Sequence, residues 1–263
     1  MNERVSALNA TDVVFHRVSL YISKIGFALL EQRGDQSQNN VGWNIERKRI
    51  EGRWVEGQVG EFRLTFDPID YELKWENRSR QLVDRIGLKN TSIADVDHWW
   101  LTSTHAICGV ELHEFNFSNH TRDIHFGFDV FPILHRQAIL DWIQLRSRGE
   151  RALLQLNNLF TETVRVRIWP NNFHSEITGQ VDEFLSLKGG IALADDLNRS
   201  PYLYLNGYIA NQPKALPKIE ASFGHWLQGS PSGYIIPFEE YLNAPFQQIV
   251  DSILNAADQI VNS

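Results

Sequence analysis

Residues 167–176 of this chain read RIWPNNFHSE, a run that sets Trp169, Asn172, His174 and Glu176 close together; Asp195, Tyr202, Tyr204 and Asn206 follow within the same β-rich stretch. An imidazole titrates near neutrality, and a carboxylate that hydrogen-bonds to it fixes its tautomer and raises its basicity. His174 with Glu176 or Asp195 is therefore a candidate acid–base set. Trp169, Asn172, Tyr202, Tyr204 and Asn206 offer ring faces and hydrogen-bonding tips of the kind that line pockets for small polar or aromatic molecules. Read as one extended strand, the segment puts Asn172, His174 and Glu176 on one face and Phe173, Ser175 and Ile177 on the other. The same alternation groups Tyr202, Tyr204 and Asn206. A sheet face that merely meets solvent, with tyrosines packed by their rings, fits the same residues, so both readings stand at this point. Ser175 faces away from the candidate base and no Gly-x-Ser-x-Gly elbow occurs, which argues against a serine hydrolase.

Other groups capable of chemistry are less suggestive. His113, His120 and His125 lie near Glu111, Glu114 and Asp123, but their spacing matches no metal-ligand pattern with a mechanical reason, so neither a metal nor a cofactor is expected. Gly189 and Gly190 precede a predicted strand and suit a turn or bulge, and no glycine-rich loop leads from strand to helix to cradle a phosphate. The single cysteine, Cys108, lies in an apolar run and reads as an inert thiol. Trp99 and Trp100, adjacent on a predicted helix, cannot both face one core, which points to a partner surface such as that of a homodimer, or to an interdomain contact.

These side chains need elements to position them. Residues 13–25 are rich in β-branched and aromatic types and read as a strand, and residues 61–76 alternate on either side of the turn at Asp67 and Pro68, as a β-hairpin does. Ser92 followed by Asp95 resembles a helix start, predicting a helix over 93–107 that ends at Gly109. Strands are expected near 110–117 and 124–130, then a long helix over 134–159 with a break at Gly149. Further strands are predicted at 162–169, 173–184, 188–194 and 201–209, and a helix at 245–261 opened by Pro245. The fold class is α+β, antiparallel sheet covered by helices. Both halves end as strand, loop, helix, so a diverged duplication is one reading. The division expected is a β-rich half at 1–131 and a second half at 132–263.

The chain is 263 residues long, 43% hydrophobic and 22% charged, the composition of a folded globular protein with one large core or two ordinary ones. With 25 Lys and Arg against 32 Asp and Glu, its field repels phosphate backbones and disfavours nucleic acid as a partner. No apolar window is long enough to span a membrane and the first residues lack a secretory pattern, so a cytoplasmic address is expected.

The order of Trp169-Pro-x-x-Phe173, the acidic pair Asp195 and Asp196, Pro201-Tyr-x-Tyr204 and Ile235-Ile-Pro-Phe-Glu239 before a terminal helix resembles an uncharacterised bacterial family of unknown function. The likeness extends to residues 62–67, to Asp97 and Trp99, and to Gly109-Val-Glu111. This chain carries His174 where that family more often has Asp, and Asn172 where His is frequent. The resemblance implies no activity and no cofactor. Function is thus expected to be binding of a small polar or aromatic molecule, with an acid–base enzyme such as a hydrolase, or a structural or interaction protein, as the alternatives.

Overall fold

The computed structural model describes residues 2–112, 126–210, 212–214, 221, 223–227 and 232–263. Among these it contains five helices and two antiparallel sheets, an α+β fold. The chain divides into two compact units, one of residues 1–143 with 168–173, the other of residues 144–167 with 174–263. No described helix is long and apolar enough to cross a membrane.

The first unit opens with α1, Glu3–Leu29, capped by the Asn2 side chain accepting from the Arg4 amide. Residues 13–25 are thus helix, and the predicted strand there is wrong. The reason is burial. Leu8, Phe15, Val18, Ile22 and Ile25 are all buried at helical spacing, whereas a strand would have turned Val13, Phe15 and Arg17 to one side. Tertiary packing outweighs the weak helix propensity of the Val, Ile and Phe in this segment.

The first sheet consists of β1 (Gly42–Asn44), β2 (Arg49–Glu51), β3 (Val55–Gly57), β4 (Gly60–Asp67), β5 (Glu72–Asn77) and β6 (Leu82–Gly87), in the order β1-β2-β4-β5-β6 with β3 also on β4. The β4–β5 hairpin lies where alternation predicted it. α2, Ile93–Cys108, also follows its signals: the Ser92 hydroxyl accepts from the Asp95 amide, and Gly109 ends the helix at φ 71°. Trp100 is buried and donates to the Tyr21 carbonyl, while Trp99 donates to Asp84 of β6. One sheet face, with Leu64, Phe66 and Trp75, packs on these helices through Phe15 against Phe66 and Trp75 bonded to Ser103. The other carries Arg49 and Arg63 paired with Glu51 and Glu76 at 2.5–2.8 Å.

Segment 168–173 belongs to this unit. Ile168 bridges Val41, His16 bonds to the Pro170 carbonyl at 2.7 Å, and the Phe173 ring stacks on both His16 and Trp142. Of the strands predicted at 110–117 and 124–130, residues 113–125, with His113, His120 and His125, lie outside the described residues. Val130 forms only a bridge to Ser92.

α3, Arg136–Leu153, contains the boundary between the units and runs unbroken through Gly149, contrary to the predicted break; a short 3-10 turn, Leu154–Asn158, follows it. The second sheet comprises β7 (Arg167–Ile168), β8 (Ser175–Gln180), β9 (Leu185–Ala192), β10 (Tyr202–Ile209), β11 (Gln212–Pro213), β12 (His225–Leu227) and β13 (Gly233–Pro237). Its order is β12-β13-β10-β9-β8-β7, with β11 on β10. Two helices close the chain, α4 (Phe238–Asn243) and α5 (Phe246–Asn262), the latter where its periodicity placed it.

Alternation gives the second sheet two unlike faces. Ile177, Leu187, Ile191, Leu203 and Leu205 are buried on one of them. There a Cβ added at Gly149 would come within 2.7 Å of Ile191, and one at Gly189 within 2.7 Å of Leu153, so α3 sits closely on β9. Gly189 and Gly190 are therefore strand residues and form neither turn nor bulge. On the same face Ser175 accepts from Arg146 and donates to Glu150, both bonds 2.9 Å long, in a group that is wholly buried. Burial pushes the Glu150 carboxyl up to about 8, against the pull of Arg146 and Arg167.

Candidate functional site

The opposite face of the second sheet holds most of the predicted site. Glu176 of β8 is in register with Gly190 of β9, and Gly190 with Tyr204 of β10. Because Gly190 has no side chain, the Tyr204 phenol crosses above it; a Cβ there would lie 2.4 Å from the phenol oxygen. The hydroxyl donates to Glu176 Oε1 at 3.0 Å. Two residues before Gly190 on β9, and so on the same face, Lys188 sends its ammonium to Glu176 Oε2 at 2.9 Å. His174, just before β8, holds Nδ1 at 3.9 Å from Glu176 Oε1 and its ring 6.1 Å from that of Tyr204.

Asp195 lies in the turn after β9. Its Oδ1 accepts from the amides of Leu197 and Asn198, and its Oδ2 accepts from the Tyr202 hydroxyl at 2.7 Å. Asp195 thus pairs with tyrosine in place of the expected imidazole. Tyr202 and Tyr204 pack 6.4 Å apart and join Ala192, Ile235 and Leu227 in a small apolar cluster. With its amide oriented to suit its neighbours, oxygen and nitrogen exchanged, Asn206 donates to the carbonyls of Leu205 and Ser232.

Both phenols are held in the protonated form. Burial raises Tyr204 well above the usual range, with the charge and hydrogen bond of Glu176 adding to it; burial and then Asp195 do the same for Tyr202. These tyrosines are hydrogen-bond donors to carboxylates at neutral pH.

The two remaining predicted residues are grouped with the other compact unit. Trp169 and Asn172 belong to segment 168–173 of the first unit. The single strand expected to align Asn172 with His174 and Glu176 begins only at Ser175, because Phe173 adopts φ 58° and its amide bonds back to the Trp169 carbonyl. That left-handed residue breaks the alternation. Lys188, in contrast, was missed. Its signal was present in the alternation of residues 185–190, which turns Leu185, Leu187 and Gly189 inward and Lys188 toward the tyrosines.

Chemically the cluster is a carboxylate bridging a phenol and an ammonium, with an imidazole beside it. It supplies donors, a charge and a group able to move a proton. Comparison with protein-family models, with curated proteins and with solved structures gives no match for this chain.

Proposed function

We propose that the chain binds a small polar or aromatic molecule on the second sheet, at the face opposite its helices. The observation that supports this is the bonded set of Tyr204, Glu176 and Lys188, with the His174 ring 3.9 Å from the carboxylate. Its members come from three adjacent segments and are fixed by one another before any ligand arrives, and such preorganisation lowers the entropic cost of binding. Tyr202 with Asp195 extends the polar surface. The experiment is a thermal-shift screen of the full chain against amino acids, organic acids, nucleosides and aromatic amines. At least one class should raise the melting temperature, and Lys188→Met or His174→Ala should shrink that rise. A rise that is indifferent to every substitution in the set would remove the site from consideration.

A second reading, an acid–base enzyme such as a hydrolase, rests on the 3.9 Å approach of His174 to Glu176. In that case His174 transfers the proton, and Glu176, already bonded by Tyr204 and Lys188, orients it. His174→Ala would then abolish turnover while weakening binding only partly. The proposal places the protein in the cytoplasm and among the uncharacterised bacterial proteins with Trp-Pro-x-x-Phe and Pro-Tyr-x-Tyr elements.

A further inference from the structure

We infer that the ligand of this face carries a carboxylate or phosphate group, which docks between Lys188 and His174. The inference rests on the binding reading above and follows from what an incoming molecule meets first. Within the set, the Lys188 side chain is 32% exposed, His174 23% and Glu176 13%. Of these three the carboxylate is the least exposed, and its two oxygens already accept from the Tyr204 hydroxyl and the Lys188 ammonium. The groups turned outward are an ammonium with three donor hydrogens and an imidazole. With one lone-pair site on each oxygen taken and only 13% of its side chain exposed, this carboxylate is a poorer landing point for an incoming cation than the outward groups are for an anion. A ligand oxygen bearing negative charge, however, would gain charge-assisted bonds from Lys188 while Glu176 holds that lysine in place. The chain's overall charge of −7 makes this local arrangement a point of contrast, since long-range attraction would not bring anions here and selectivity would come from contact alone.

The test is an amide NMR titration of the full chain at fixed ionic strength with acetate, inorganic phosphate, choline and glucose. The expected result is a saturable shift confined to residues 174–178, 186–190 and 202–206 with acetate or phosphate and not with choline or glucose. Lys188→Met should weaken that binding about tenfold or more, as expected for loss of a bond to a charged group, while Lys188→Arg should retain it within a few fold. If Lys188→Met does not fold, His174→Asn serves as the second variant and should also weaken binding. Saturable shifts of the same amides with choline or glucose alone would overturn the anion assignment and leave the binding face standing. Absence of saturable shifts with all four probes would overturn both.

Discussion

Tyr204 is the residue that most constrains the site, because its ring must cross a neighbouring strand to reach Glu176. The crossing depends on Gly190, whose missing side chain is the space the phenol occupies. Two substitutions separate the bond from the space. Tyr204→Phe removes the donor but keeps the ring, and should cost about 1.5–3 kcal/mol, the range for a hydrogen bond to a charged group; urea unfolding would measure it. Gly190→Ala keeps the donor but drives a methyl into the phenol, and should cost about 1–3 kcal/mol as an overpacked site does. Combining the two should not add, since both break the same contact. At this scale the sequence was only partly legible. That Tyr202, Tyr204 and Asn206 share one face is legible because strand alternation is periodic, and the register sets Glu176 on the same face. Lys188 is masked in the sequence by the two glycines after it, which read as a turn although groups far away in sequence set their role. Asp195 was given to the wrong partner, since only the fold decides which acceptor a phenol can reach.

Among the elements, the β4–β5 hairpin and α2 could be read in advance because their information is local: alternation about a turn, a hydroxyl cap, a terminal glycine. α1 could not. Its Val, Ile and Phe content speaks for strand, and the packing that overrules it involves Phe66 and Trp142, remote residues. β8 was misplaced by a single residue, Phe173, whose left-handed conformation is held by stacking on His16 and Trp142. The predicted break at Gly149 fails for a related reason: the glycine serves close packing of α3 on β9. In an isolated helix Gly→Ala gains about 1 kcal/mol. Gly149→Ala should instead destabilise, because the new methyl would lie 2.7 Å from Ile191 Cδ1. Adding Ile191→Val removes that atom and should recover part of the loss. A double-mutant cycle by chemical denaturation checks this; a stabilising Gly149→Ala would mean that α3 is not pressed on the sheet.

Over the whole molecule, acidity and the buried carboxyl Glu150 pull in opposite directions as pH changes. With a net charge of −7 at pH 7 and an isoelectric point near 5.7, the chain loses its mutual repulsion and should be least soluble close to pH 5.7. Stability should follow another course. Glu150 titrates at about 8 when folded, above the value near 4.5 that it has when exposed. Between those values the folded state holds the proton that the unfolded state has released. Unfolding free energy therefore falls as pH rises through that window, and the neutral carboxyl's contribution is lost as pH passes 8. The size of the fall is on the order of a few kcal/mol, moderated by Arg146 and Arg167. The protein should thus unfold at a higher urea concentration at pH 5.5 than at pH 8, while dissolving less well. Glu150→Gln separates the two effects. It can still accept from Ser175 but cannot ionise, so it should flatten the pH dependence of the urea midpoint and leave the solubility minimum close to where it was. A variant that keeps the full slope would assign the pH dependence to other groups and show that Glu150 is ionised beside Arg146 in the folded protein.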